Sequence, residues 1–231
     1  MLTQSKTSLR SGEVTSAVED YLVTIYRLEE AFGIARTTII AKELNVKPGT
    51  VSKIISKLEL KGLVERTKYR GVKLTKEGRK IAEKIVWKHR IIERFLYDYV
   101  GLDPIKAHDY AHLMEHLPDE IIERIYDKLG RPPTCPLGNP IPGSPLPQEL
   151  RVAKPLTEAD LASCVKVVRI AGVLKEGLKV LLDLGLMIGV VLNIVYVSSS
   201  HVVVDIIDKN KIVEIPSKYA RMIYVVENDN C

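Results

Sequence analysis

Apolar positions in the N-terminal third first repeat at helical spacing and then alternate. In residues 16–31, SAVEDYLVTIYRLEEA, Val18, Leu22, Ile25, Tyr26 and Leu28 fall near one face, which predicts an amphipathic helix ended by Gly33. Thr37 opens a short helix, TTIIAKEL, that stops at Asn45-Val46-Lys47-Pro48. A third helix from about Gly49 carries Thr50 in its first turn and an apolar stripe of Val51, Ile54, Ile55 and Leu58. Two short helices joined by a tight polar turn, the second opening on small and hydroxyl residues, form a helix-turn-helix pattern. Gly62 to Arg66 then reads as a strand, Thr67 to Gly71 as a basic turn and Val72 to Leu74 as a second strand. Helices followed by a hairpin predict a winged helix-turn-helix.

Helical spacing returns after Thr75, the expected cap of a long helix reaching about Val100. Gly101-Leu102-Asp103-Pro104 breaks it, with Asp103 as N-cap and Pro104 at the first position of a helix that runs through His116. Leu117-Pro118 ends that helix, and Asp119 to Leu129 forms another, closed by Gly130. Residues 131–147 hold seven prolines and two glycines, too many for a helix, and predict an extended, partly rigid connector. Beyond Pro155, residues 157–160 cap a short turn. Strand signals follow at 165–170, 190–197, 201–207, 212–215 and 222–226, with a helix over 178–184. Short strands in such density suggest a small β-barrel. The expected class is α+β: a winged-helix domain over 1–75, a helical domain over 76–142, a Pro-rich linker over 143–155 and a barrel over 156–231.

Composition narrows the class of function. At 231 residues and 46% hydrophobic, the chain can bury more than one small core. The densest apolar stretch, Val180 to Val197, is broken by Asp183, Gly185, Gly189 and Asn193, so no membrane span is predicted. Met1 to Glu13 is polar and lacks an apolar signal core, which points to the cytoplasm. Cys135, Cys164 and Cys231 are widely spaced and suggest neither a zinc-type pair nor a disulfide framework. Charge is segregated. Residues 47–80 hold 11 Lys+Arg against 3 Asp+Glu, whereas residues 81–130 hold 7 against 10. A basic segment beside an acidic, histidine-rich one implies two ligands of opposite sign, a polyanion and a cation.

For the polyanion, Lys47, Thr50, Ser52, Lys53 and Lys57 lie on or beside the exposed face of the third helix, with Thr37 opening the second and Lys68 and Arg70 at the wing tip. Such hydroxyls and cations can contact DNA phosphates and base edges. A metal-independent winged-helix regulator would use the same fold. For the cation, His108, His112, Glu115 and His116 fall within nine residues on one predicted helix face, and His89 and Glu93 stand four apart on the helix before it. Imidazoles and carboxylates without a thiolate suit Mn²⁺ or Fe²⁺ and also admit Co²⁺, Ni²⁺ or Zn²⁺. Binding requires neutral imidazoles. His112-Leu-Met-Glu115-His116 also matches H-x-x-E-H, an inverted zinc-protease signature, which makes a zinc metallohydrolase the enzymatic alternative. A basic winged helix has no evident role in a peptidase, and the non-enzymatic reading is preferred.

Several local motifs now combine. Glu19-Asp20-Tyr21-Leu22, the helix-turn-helix, Lys88-His89-Arg90 with Glu93-Arg94, Gly101-Leu102-Asp103, His108-Asp109, Glu115-His116 and the run Cys135-Pro136-Leu137-Gly138-Asn139-Pro140-Ile141-Pro142 together resemble the diphtheria toxin repressor family over nearly the whole chain. The resemblance implies a homodimeric, metal-activated transcriptional repressor of metal-uptake genes, with a winged-helix domain, a helical dimerisation domain and a C-terminal SH3-like domain. Position by position, it implies a primary metal site of Asp20, His112, Glu115 and His116 and an ancillary site of His89, Glu93 and His108. Iron-type members carry methionine at position 20 and cysteine at 112, and manganese-type members aspartate and glutamate. This chain combines Asp20 with His112, and has Val23 where some manganese-type members have a second glutamate. The resemblance thus leaves both Fe²⁺ and Mn²⁺ open. The two ancillary ligands that iron-type members draw from the last domain fall at Leu174 and Gly177, so Glu176 is the nearest carboxylate.

Overall fold

The computed structural model describes residues 16–67, 70–172 and 175–228. Of the DNA-contact candidates, Lys68 lies outside them. Helix α1 (Ser16–Phe32) buries Leu22, Ile25 and Leu28 completely and ends where Gly33 takes φ +71°. Helices α2 (Thr37–Glu43) and α3 (Pro48–Leu60) are joined by a turn in which Asn45 takes φ +52° and the Val46 N–H returns to the Ala41 carbonyl at 2.9 Å. Pro48 opens α3, where its missing N–H has no helical partner to lose. Ile40, Val51, Ile55 and Leu58 turn inward and close a core with α1.

Strands β1 (Val64–Thr67) and β2 (Gly71–Leu74) pair antiparallel with Val64 opposite Leu74, and Ala35 bridges Val72. Gly71 is required there: at φ +143°, an added Cβ would stand 2.5 Å from the Ala35 carbonyl oxygen. The Leu74 N–H donates to Glu29 Oε1 at 2.6 Å, pinning the hairpin to α1.

Helix α4 (Lys76–Asp98) is capped by Thr75, whose hydroxyl accepts from the Gly78 N–H at 3.1 Å. It threads two cores over a length of about 35 Å. Ala82, Ile85 and Val86 pack in the first, and Ile91, Ile92 and Leu96 pack in the second with Ala107, Ala111, Ile122 and Tyr126. The partners of Ile91 come from α5 (Pro104–Met114), which Asp103 caps by accepting from the Ile105 and Lys106 N–H groups, and from α6 (Asp119–Lys128). Helix α5 ends two residues earlier than expected: Glu115 is its C-cap, and His116 stands in the turn. The cause is Pro118, which disfavours helical backbone at Leu117. Buried Lys88 holds this corner, its Nζ donating to the Leu117 carbonyl at 2.7 Å and pairing with Asp119 at 2.6 Å.

No helix forms over 131–147, and a short α7 (Gln148–Val152) follows. The last domain contains β3 (Lys154–Pro155), β4 (Cys164–Ile170), α8 (Lys175–Leu184), β5 (Val191–Val197), β6 (His201–Ile206), β7 (Lys211–Pro216), α9 (Ser217–Ala220) and β8 (Ile223–Glu227). Its strands form one antiparallel sheet in the order β3-β8-β4-β5-β6-β7. The sheet encloses Leu156, Val165, Val167, Leu181, Leu192, Val204 and Val225, the core of the expected SH3-like domain. Cys135 is a buried free thiol.

Three domains meet at Glu30 near the end of α1. Its carboxylate accepts from Arg90 of α4 at 2.5 Å and from Arg169 of β4 at 2.9 Å. Arg169 also donates to Asn139 at 3.0 Å, and Asn139 donates to the Ile170 carbonyl at 2.8 Å. Beside this junction Gly172, at φ +54°, lies so close to α1 that a Cβ would collide with Ala31 and the Arg27 carbonyl. A second link joins Lys42 of α2 to Glu176 of α8 as an ion pair. Glu176 is thereby engaged with the winged-helix domain rather than with the histidine cluster.

Candidate metal centre

The i, i+4 spacing that placed His89 and Glu93 on one face of α4, and His108 and His112 on one face of α5, brings the two faces together. The three imidazoles pack around one point, with ring centroids 4.6–4.8 Å apart. One nitrogen from each lies within 4.8 Å of the others. Glu93 Oε1 accepts from His108 Nδ1 at 2.6 Å and stands 3.0 Å from His89 Nε2, while His89 Nδ1 donates to Glu115 Oε2 at 2.6 Å. These residues are almost wholly buried, apart from His112, whose side chain is 40% exposed.

A second cluster joins different elements. Asp20 from α1 meets Glu115 and His116 from the α5–α6 corner, with one ligand atom of each within 4.8 Å of the others. His112 stands between the two groups. It joins His89 and His108, and its Nδ1 is 3.5 Å from Glu115 Oε1. The primary and ancillary sets expected from the resemblance therefore form two adjoining clusters, with His112 grouped on the ancillary side and within reach of Glu115.

The electrostatics favour a cation. Burial holds the His108 pKa down at about 3 and lowers that of His112 as well, so both imidazoles are neutral donors near pH 7. Burial alone would raise the carboxyl pKa of Glu93 and Glu115, but their histidine partners pull both well below the usual carboxylate range. Burial and the neighbouring charge of Glu115 raise that of Asp20, partly offset by His116 and Arg27. Neutral imidazoles beside ionised carboxylates are the donor set that Mn²⁺ or Fe²⁺ takes. The residues present fit such an ion. The thiol of Cys135 lies in the core of the last domain and joins neither cluster, and burial pushes its pKa up to about 12.

Two residues beside the clusters escaped the sequence reading. Glu19 Oε2 lies 3.5 Å from His116 Nδ1. Arg27, seven residues after Asp20 and so on nearly the same face of α1, puts Nη1 3.1 Å from His112 Nε2. The heptad offset from Asp20 puts Arg27 on that face but does not say which element the face meets.

In the winged helix, Thr37, Ser52 and Arg70 line an open cleft of about 1010 Å³ with Arg36, Thr38 and Arg66. Lys47, Thr50, Ser52, Lys53, Lys57 and Arg70 are exposed, and Thr37 is half-buried at the start of α2. Arg66, which sequence reasoning passed over, ties the hairpin to α3 by donating to the Ser52 carbonyl at 3.1 Å and to Ser56 Oγ at 2.6 Å.

Comparison with known proteins agrees with this geometry. Residues 13–72 match the profile of the iron dependent repressor N-terminal DNA binding domain, and residues 75–143 that of the metal binding and dimerisation domain. The diphtheria toxin repressor of Corynebacterium glutamicum is 39% identical over 132 residues, 57% of this chain and 58% of that protein. The match thus spans little more than half of that relative's length. The HTH-type transcriptional regulator MntR of Oceanobacillus iheyensis is 39% identical over 114 residues, 49% of this chain and 77% of that protein. The crystal structure of IdeR from T. acidophilum superposes with a TM-score of 0.79 at 30% identity, covering 95% of this chain and all of that one. The chain belongs to the iron-dependent repressor family, that of the diphtheria toxin repressor.

Proposed function

We propose that this protein is a metal-dependent transcriptional repressor of metal-uptake genes, binding operator DNA as a homodimer when Fe²⁺ or Mn²⁺ is present. One observation carries the reading: Asp20, on the first helix of the winged-helix domain, meets Glu115 and His116 of the helical domain. Asp20, His112, Glu115 and His116 would hold one ion, and His89, Glu93 and His108 the other. A bound ion supplies bonds between α1 and the α5–α6 corner. The chain's own residues supply the opposition: the carboxylates of Asp20 and Glu115 repel each other when no cation lies between them. Joining them restricts how the winged helix sits against the dimer axis. Tyr110 and Leu113, three apart on the outer face of α5 and 49% and 78% exposed, support a surface for a second copy. Two copies of α3 then meet successive half-sites, with Lys47, Thr50, Ser52, Lys53 and Lys57 toward the groove, and Thr37, Lys68 and Arg70 toward phosphates.

Relatives are named for iron and for manganese, which supports either ion here. The hydrolase alternative finds no support: Glu115 is 2% exposed and engaged by His89, so it does not present a base to an open site. We assign the protein to the cytoplasm, with its operator; no helix among the described residues is long and apolar enough to cross a membrane. The test is operator affinity in EDTA against saturating Mn²⁺ or Fe²⁺. Tighter binding with metal is expected, and equal affinity would defeat the regulator reading.

A further inference from the structure

Helix α1 carries a cation into the centre that holds the metal ligands. The guanidinium of Arg27 is enclosed beside His112. Its Nη1 sits 3.1 Å from His112 Nε2, and its Nη2 is buried without a hydrogen-bond partner among the described residues. Burial lowers its pKa, and the charged groups that oppose this most strongly are Glu115 and then Glu93, the two buried carboxylates of the centre. A buried guanidinium with an unused donor has not been placed there for hydrogen bonding alone, because the desolvated Nη2 gains nothing in return. What it does supply is one positive charge where two carboxylates lie in a low-dielectric interior.

We propose that Arg27 is a built-in counter-cation that occupies the centre in place of the metal, and that incoming Fe²⁺ or Mn²⁺ must compete with it. Two consequences follow from the geometry. Ligation through His112 Nε2 requires Arg27 to leave that nitrogen, because the lone pair that accepts from Nη1 is the one an ion would use. Ligation through His112 Nδ1, which faces Glu115, puts the ring proton on Nε2, where it opposes the Nη1 donor, so the guanidinium must shift in that case too. Either way Arg27 lowers metal affinity and raises the metal concentration at which the protein responds. In return it sets a positive charge near Glu93 and Glu115 in the metal-free protein and helps keep that state folded. Arg27 lies on α1 beside Asp20, so its displacement and the engagement of Asp20 involve the same helix.

This inference rests on the metal reading above, and the test separates the two. Mn²⁺ binding is measured by calorimetry on DNA-free protein for wild type, Arg27→Met, Arg27→Gln and Arg27→Lys. Arg27→Met removes charge and donors, Arg27→Gln keeps a donor for His112, and Arg27→Lys keeps the charge. Competition by charge predicts that the Met and Gln variants bind Mn²⁺ on the order of tenfold more tightly, with Lys close to wild type. It also predicts a lower melting temperature for both neutral variants in EDTA, recovered when Mn²⁺ is added. Unchanged or weaker Mn²⁺ affinity in the folded Met and Gln variants overturns the proposal. Should neither variant fold, nitrogen NMR of the wild-type arginine side chains with diamagnetic Zn²⁺ decides it: the Arg27 resonances must shift on loading, and fixed resonances overturn the idea. Wild type that binds no Mn²⁺, Fe²⁺ or Zn²⁺ defeats the metal reading itself. Wild type that binds, with neutral variants no tighter, defeats only the competition.

Discussion

Individual side chains divide into those that make the centre and those that keep it folded. His116 belongs to the first group. Its side chain is 41% exposed and packs in no core cluster, so His116→Ala should shift folding stability by no more than about 0.5 kcal/mol. Mn²⁺ affinity should nonetheless fall at least tenfold, on the order of what loss of even an outer-shell partner costs. Full metal response in that variant would remove His116 from the site. His108 belongs to both groups, and its titration gives a pH dependence with a definite sign. Burial depresses its folded pKa from 6.5 to about 3, so the unfolded chain takes the proton first. The stability it contributes is complete above pH 6.5 and is lost as pH falls from 6.5 toward 3. Glu93, also depressed in the fold, contributes above its ordinary 4.5 and is lost below it, in the same direction. The metal-free protein in EDTA should melt at a lower temperature at pH 5 than at pH 7.5, and His108→Gln should reduce the difference. A melting temperature that stays level or rises on acidification would contradict the buried neutral imidazole.

At the scale of elements, α4 is the spine, since its two halves belong to different cores and its middle carries His89 and Glu93. Lys88, on the same helix, fixes the corner that presents Glu115 and His116. Lys88→Met leaves the Leu117 carbonyl without its donor, at a cost of about 1–3 kcal/mol, which denaturant titration can measure. The loosened corner should also weaken Mn²⁺ binding, and a variant with wild-type metal affinity would show that Lys88 serves stability alone. These contacts mark how far the sequence could be read. Thr75, Asp103 and Pro104 announced α4 and α5 because capping is local chemistry, and the strands of the last domain were legible from alternation. The end of α5 was not: the helical spacing of His112 and His116 outweighed the one-residue reach of Pro118. Asp20 came from the resemblance alone, and Arg27 from neither. Both lie on α1, far from the histidines in sequence, and no periodicity within one element reports which face of another it will meet.

For the whole molecule, the question is whether reading DNA and binding metal are separable. The exposed residues of α3 face solvent, whereas the face of α1 that carries Asp20 meets the helical domain. Lys53 is exposed and has no contact with either cluster among the described residues. Lys53→Ala should therefore weaken operator binding, and if it contacts a phosphate it should reduce the salt slope by about one. Mn²⁺ affinity measured without DNA should be unchanged. With operator present the two events must couple, because any ion that favours the DNA-binding arrangement is favoured by DNA to the same degree. Operator DNA should tighten Mn²⁺ binding by a factor of roughly 5 to 150, and the ratio should match the gain in operator affinity produced by Mn²⁺. Calorimetry of metal into protein and into the protein–operator complex gives one side, and operator titrations with and without metal the other. Unequal factors would mean that the described arrangement omits a state, such as a second dimer on the operator. A loss of DNA-free metal affinity in Lys53→Ala would mean that the reading face and the metal centre are one site.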